Sequence, residues 1–153
     1  MDKWDTIYDS RQRFCVGYLF SPDLTKVVLI RKNRPDWQAT KLNGVGGKLQ
    51  DGETPLRGMQ REFLEETGLE HWEWKPLARL EFEKAVVWFF WGTSCLYDLV
   101  ETKTDEPVEV YKVGLLGALN LVPNSCWLIP MAISFTKGER ANCFVVHEVY
   151  DAV

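Results

Sequence analysis

Gly47-Lys48-Leu49-Gln50-Asp51-Gly52-Glu53-Thr54-Pro55-Leu56-Arg57-Gly58-Met59-Gln60-Arg61-Glu62-Phe63-Leu64-Glu65-Glu66-Thr67-Gly68-Leu69 is the stretch on which the reading of this chain turns. It holds the clearest helix. Thr54 is a candidate N-cap, Pro55 takes the first helical position, where its missing N–H does no harm, and Gly68 is a C-terminal stop. At about 100° per residue, Leu56, Met59 and Phe63 fall on one stripe and Glu62, Glu65 and Glu66 on its neighbour. One face is expected to pack on a sheet while the other presents three carboxylates. Like-charged pairs one turn apart cost only about 0.2–0.5 kcal/mol on an exposed helix, so Glu-x-x-Glu-Glu alone reads first as an acidic, solvated face. Its context argues for more. Arg61 precedes the acids, Glu53 stands at the helix entrance, and Asn43-Gly44-Val45-Gly46-Gly47-Lys48 runs in as a glycine-rich turn. Hard oxygen ligands clustered this way suit Mg²⁺ or Mn²⁺, which bind carboxylates and substrate phosphates together.

Outward from the helix, strands and turns alternate. Phe14 to Phe20 is apolar and β-prone, Ser21-Pro22-Asp23 turns the chain, and Val27 to Ile30 returns as the second arm of a hairpin. Residues 31–41 read as a polar loop. Leu77 to Phe82, Ala85 to Thr93 and Val108 to Val113 read as strands, Ser125 to Phe135 as a second helix with Pro130 awkwardly inside it, and Cys143 to Tyr150 as a final strand. Strands mixed with two helices, without repeats or linkers, indicate one α/β domain over residues 1–153.

The 153 residues suffice for a substantial core, and 46% apolar with 26% charged residues is ordinary globular composition. A net charge of −4 speaks against a nucleic-acid polymer or membrane as partner, since both attract basic surfaces. It leaves a phosphate substrate open, because bound metal reverses the local sign. Met1 to Asp5 lacks the order of a signal peptide, and the run Ala85 to Trp91 is too short to span a bilayer. Cys15, Cys95, Cys126 and Cys143 form no CxxC pair and read as free thiols of a cytoplasmic protein.

Gly47, Glu53 and Arg61-Glu62-Phe63-x-Glu65-Glu66-x-Gly68-Leu69 resemble the Nudix box at every defined position, Gly-x5-Glu-x7-Arg-Glu-U-x-Glu-Glu-x-Gly-U with U apolar. The resemblance implies an α/β/α sandwich with a mixed sheet and hydrolysis of a diphosphate linkage in a nucleotide. It implies that Glu62, Glu65 and Glu66 hold divalent metal, with the carbonyl of Gly46 or Gly47 as a further ligand. Arg61 would orient a box carboxylate, Glu53 would fix the loop-to-helix geometry, and Glu65 or Glu66 would serve as base.

Specificity lies outside the box. Asn43 to Gln50 resembles the corresponding stretch of animal-type hydrolases of oxidised purine triphosphates, in which the matching Asn contacts the base; a turn Asn before Gly is the plain alternative. Pro123-Asn124 resembles the base-reading region of MutT-like members, and an N-cap Asn is its alternative. Glu106, with Glu109 as fallback, occupies the place of a further metal-binding or base acid. Arg31 is a candidate phosphate contact, and Trp37 and Trp127 are candidates for stacking on a base. The leading expectation is a MutT-like nucleoside triphosphate pyrophosphohydrolase, monomeric or homodimeric. Hydrolysis of ADP-ribose, a dinucleoside polyphosphate or a nucleotide sugar is the alternative, and a nucleotide-sensing module without turnover a minor one.

Overall fold

The computed structural model describes Trp4, residues 9–138 and the backbone of residues 144–147. Eight strands and two α-helices follow in the order β1 (Gln12–Phe20), β2 (Lys26–Arg31), β3 (Leu42–Asn43), β4 (Val45–Lys48), α1 (Pro55–Thr67), β5 (Lys75–Glu81), β6 (Ala85–Thr93), β7 (Val108–Lys112), α2 (Ser125–Thr136) and β8 (Phe144–His147). They form one mixed sheet, ordered β3-β2-β1-β6-β5-β8, with β4 paired to β1 and β7 to β2.

β1 lies in the middle. All nine of its residues run parallel to β6, from Gln12 opposite Ala85 to Phe20 opposite Thr93. Its other edge pairs antiparallel with β4 and then with β2, the expected hairpin. A parallel pair needs a long crossover, and the segment that carries α1 supplies it.

The two-residue period of the strands sorts the core into two layers. Tyr18, Phe20, Val27, Leu29, Phe89 and Trp91 point to one face, where Leu128, Ile129 and Ala132 of α2 cover them. Cys15, Leu19, Val28, Ile30, Trp88 and Phe90 point to the other, against Met59 and Phe63 of α1. The result is the expected α/β/α sandwich. Among the described residues no helix is long and apolar enough to cross a membrane. α2 continues through Pro130.

Three details depart from the sequence reading. Asn43 and residues 45–48 are strand rather than turn, because glycine here serves a close backbone approach: a Cβ on Gly46 would stand 1.9 Å from the carbonyl oxygen of Cys15. Leu56 is exposed, while Pro55, Gly58, Met59, Glu62 and Phe63 are buried. The buried arc of α1 is therefore rotated towards Glu62, and the acidic and apolar stripes overlap. Residues 31–41 carry a short 3₁₀ turn, Asp36–Gln38. Of the expected last strand, residues 144–147 are strand, while 143 and 148–150 lie outside the described residues.

Candidate active site

α1 is fixed at both ends as its sequence requires. The Thr54 hydroxyl accepts from the Arg57 N–H at 3.3 Å, and Gly68 ends the helix at φ 73°, where glycine meets no Cβ penalty. The loop before it is stapled from β1. Arg13, buried, donates to the carbonyls of Glu53 (2.8 Å) and Gln50 (2.7 Å).

On this helix Arg61 gathers the acids. Its Nε and Nη2 donate to the two oxygens of Glu53, both at 2.8 Å. Nη1 donates to Glu62 Oε1 at 2.8 Å and Glu65 Oε2 at 3.1 Å, and Nη2 also reaches the carbonyl of Lys48 at 3.2 Å. This ion pairing holds the Glu53 carboxyl below its usual range and raises the Arg61 guanidinium. Glu62 is pushed the other way, chiefly by burial, which outweighs its bond to Arg61. Its carboxylate presses on Gly47, where an added Cβ would stand 2.6 Å from Oε2.

Glu66 sits at the C-terminal end of the cluster. Its Oε2 accepts from Thr104 Oγ1 at 3.0 Å. Burial raises its pKa, with Glu106 and Glu65 adding repulsion and Lys32 opposing it. Glu106 is buried and already bound: Oε1 accepts from Lys32 Nζ at 2.9 Å and Oε2 from the Asn33 N–H at 2.6 Å. Glu109 is exposed on β7 and accepts from the Tyr111 hydroxyl.

The other candidates divide. Asn43 is bonded to the residue that follows Asn124: Ser125 Oγ donates to Asn43 Oδ1 at 3.1 Å. Asn43 Nδ2 reaches Gln38 Oε1 only at 3.4 Å. Asn124 precedes α2 without capping it by its side chain, and its buried Oδ1 has no hydrogen-bond partner among the described residues. Trp37, beside Gln38, is 59% exposed, and Trp127, on the first turn of α2, is 37% exposed. Arg31 is exposed and donates to the carbonyl of Thr40, tying its own loop.

The donor set fits a hard divalent cation in its chemistry: carboxylate oxygens beside a backbone that only glycine allows so near. Yet among the described residues no three His, Cys, Asp or Glu side chains converge as a ready cage. Arg61 holds Glu62 and Glu65 while Thr104 holds Glu66, so a cation would have to draw the carboxylates from these partners.

Sequence reasoning missed Arg13, Lys32, Thr104 as the partner of Glu66, and the Tyr18–Ser125 pair. Only Lys32, next to Arg31 at a strand end, left a local signal.

The fold and the clustered acids define a class, and comparison with known proteins gives the family. The NUDIX domain model matches residues 11–118, and the chain belongs to the NUDIX domain family of hydrolases. No curated protein matches its sequence. Among solved structures, a MutT from work on Aliivibrio salmonicida and Vibrio cholerae is 20% identical, with a TM-score of 0.68 over 82% of this chain and 98% of its own. A Methanosarcina mazei MutT protein is also 20% identical, with a TM-score of 0.64 over 87% and 98%. The NUDIX domain of Shewanella oneidensis NrtR, complexed with ADP ribose, is 14% identical, with a TM-score of 0.73 over 88% and 94%. At these identities the likeness is one of fold.

Proposed function

We propose that this chain is a Mg²⁺-dependent hydrolase of a nucleoside triphosphate, releasing the monophosphate and pyrophosphate. The observation that carries the chemistry is the Arg61 clamp, which gathers Glu53, Glu62 and Glu65, with the Glu62 carboxylate lying against Gly47. Glu62, Glu65 and Glu66, with the carbonyl of Gly46 or Gly47, would hold Mg²⁺, or Mn²⁺ in its place. When bound, the cation neutralises phosphate oxygens and lowers the pKa of a water.

The protein's own groups do the rest. Glu65 or Glu66 takes the proton as the water oxygen bonds to phosphorus, and the bridging P–O bond breaks with its electron pair leaving on pyrophosphate. Glu106, paired with Lys32, acts here only after that pair opens. Arg61 keeps the carboxylates in place, and Glu53 keeps Arg61 in place. Asn124, whose Oδ1 has no partner among the described residues, and Asn43 read the base, oxidised purines included. Trp37 and Trp127 offer stacking faces, and Arg31 a phosphate contact after release from Thr40.

A second reading, hydrolysis of ADP-ribose, draws support from the NrtR domain, which carries that compound on the same fold. The deciding measurement is Mg²⁺-dependent turnover on a panel of ordinary and 8-oxo (d)NTPs, ADP-ribose and a dinucleoside polyphosphate. Triphosphate cleavage with pyrophosphate as co-product is expected. No cleavage of any triphosphate, alongside rapid ADP-ribose turnover, overturns the proposal.

A further inference from the structure

Lys32 follows directly on β2 and reaches the loop between β6 and β7 as an ion pair, its Nζ donating to Glu106 Oε1 at 2.9 Å. The pair is enclosed, with 16% of the Lys32 side chain and 4% of the Glu106 side chain exposed. It is also aimed from both sides. The Arg31 N–H donates to the Pro107 carbonyl at 2.8 Å and the Asn33 N–H to Glu106 Oε2 at 2.6 Å. Asn33 Nδ2 donates to the Asp105 carbonyl at 2.6 Å, and Arg34 pairs with the Asp105 carboxylate. Consecutive residues of one loop thus grip Asp105 and Glu106 of another.

The gripped loop reaches α1. The Glu101 N–H donates to the Thr67 carbonyl at 2.9 Å and the Lys103 N–H to the Glu66 carbonyl at 3.3 Å, so carbonyls that the helix end leaves free are capped from outside it. Thr104 then stands between Glu106 and Glu66. Its Oγ1 accepts the Glu106 N–H at 3.2 Å and donates to Glu66 Oε2 at 3.0 Å. The direction of both bonds is set. A backbone N–H can only donate, so the hydroxyl accepts there, and its single hydrogen is left for the carboxylate.

Charge acts along the same path. Glu106 repels the Glu66 carboxylate and Lys32 attracts it. While the pair is closed the two effects oppose each other. With Lys32 removed, a buried carboxylate at Glu106 is left to repel Glu66 alone.

We propose that Lys32 is a positioning residue: by holding Glu106 it fixes the Thr104 hydroxyl, and through that hydroxyl it sets the orientation of the Glu66 carboxylate. In this role the Lys32–Glu106 pair works closed, and Glu106 is an anchor. Lys32 touches no substrate atom, which separates it from a phosphate contact. The inference rests on the proposed hydrolysis, in which Glu66 works, and deepens it.

A double-mutant cycle tests it. Wild type, Lys32→Met, Thr104→Val and Lys32→Met/Thr104→Val are compared on dGTP, ATP and ADP-ribose with Mg²⁺. Mn²⁺ binding without nucleotide is read in parallel from the EPR signal of the free ion. Each single variant should lower kcat about three- to tenfold with KM nearly unchanged, and weaken Mn²⁺ binding by a similar factor, as a lost orientation does. The double variant should be no worse than the more impaired single one, because both changes cut one path. Lys32→Arg and Thr104→Ser, which keep the ion pair and the hydroxyl, should recover most of each loss. Lys32→Met leaves a buried carboxylate without its counter-ion. Should it fold poorly, Lys32→Met/Glu106→Leu removes both charges together, takes its place and carries the same expectation. Factors that multiply in the double variant, or a loss confined to KM, overturn the inference and make Lys32 a substrate contact. Unchanged kcat and Mn²⁺ affinity in a folded Lys32→Met overturn it as well. A wild type that cleaves ADP-ribose alone overturns the triphosphate reading, and the cycle is then read on ADP-ribose. A wild type that cleaves none of the three yet binds Mn²⁺ overturns that reading too, and the cycle is read from Mn²⁺ affinity. A wild type that neither cleaves nor binds Mn²⁺ overturns both.

Discussion

Arg61 grips Glu53 with two parallel bonds, Nε to Oε2 and Nη2 to Oε1, each 2.8 Å long. A fork of this shape is something a lysine ammonium cannot make. The same guanidinium spends its remaining nitrogen on Glu62 and Glu65, so one side chain sets the spacing of three acids. Arg61→Lys should therefore keep the fold yet lower kcat by about tenfold or more, a loss of orientation rather than of charge. Steady-state kinetics beside a thermal melt decides it: an unchanged kcat in a folded variant counts against the clamp.

The same pair makes a pH prediction. Glu53 has its carboxyl pKa depressed in the folded state, first by the Arg61 bond, from an ordinary value of 4.5. A depressed acid contributes stability that is present above its unfolded pKa and is lost as pH falls through the folded one. The stability advantage of the wild type over Glu53→Gln should be largest near neutrality and shrink below about pH 4.5. Glu62 and Glu66 are shifted upward and act in the opposite sense, but they are present in both proteins and largely cancel. Urea unfolding in metal-free buffer at several pH values measures the difference, and a constant gap from pH 7 to pH 3 would sink the prediction.

How legible each of these features was depends on sequence distance. Thr54, Pro55 and Gly68 act on neighbours within a turn, so both ends of α1 were readable. The acids and Arg61 lie on one helix and were readable for the same reason. Lys32 and Glu106 are 74 residues apart, and Asn43 and Ser125 are 82 apart. Nothing local marks either pair. Strand β4 was misread because its glycines look like turn residues, and only the pairing with β1 shows that they serve close packing. Leu56 falls on the apolar stripe of the sequence only while Glu62 faces water, whereas Glu62 lies within the buried arc and Leu56 is exposed.

Gly46 and Gly47 separate fold from chemistry. A Cβ on Gly46 would collide with backbone, 1.9 Å from the Cys15 carbonyl oxygen, and the central strand would have to move. The three atoms nearest a Cβ on Gly47 all belong to the Glu62 carboxylate, the first 2.6 Å away, so a side-chain end bound to Arg61 rather than backbone would have to shift. Gly46→Ala should destabilise by about 3 kcal/mol or more, at the upper end of single-site effects. Gly47→Ala should unfold nearly as the wild type does but need far more Mg²⁺ for half-maximal rate. Chemical denaturation and a Mg²⁺ titration of turnover together check the pair, and equal destabilisation by both would contradict it.

Glu65 and Glu66 differ in what holds them. Glu65 shares Arg61, whereas Glu66 is buried further and bound by Thr104. If one of them takes the water's proton, Glu65→Gln and Glu66→Gln should each lower kcat by about a hundredfold or more. Thr104→Val should lower it much less, because the hydroxyl only steadies Glu66. Near-normal turnover in both glutamine variants would refute the assignment of these acids.

Arg13 reaches across from β1 to the carbonyls of Gln50 and Glu53, and no solvent competes, since it is only 7% exposed. The Leu49 N–H donates back to the Arg13 carbonyl at 2.8 Å, so the loop entering α1 is pinned from both sides of one residue. Arg13→Met keeps the aliphatic bulk but removes both charge-assisted bonds and leaves two carbonyls to find water. Each such bond contributes about 1.5–3 kcal/mol. The variant should lose about 2–4 kcal/mol of stability after partial rehydration. Because Glu53 rides on this loop and holds Arg61, kcat should fall as well, even though Arg13 touches none of the acids of α1. Equilibrium unfolding and turnover on the same preparation test both halves, and a variant that is destabilised but fully active at saturating Mg²⁺ would limit Arg13 to the fold.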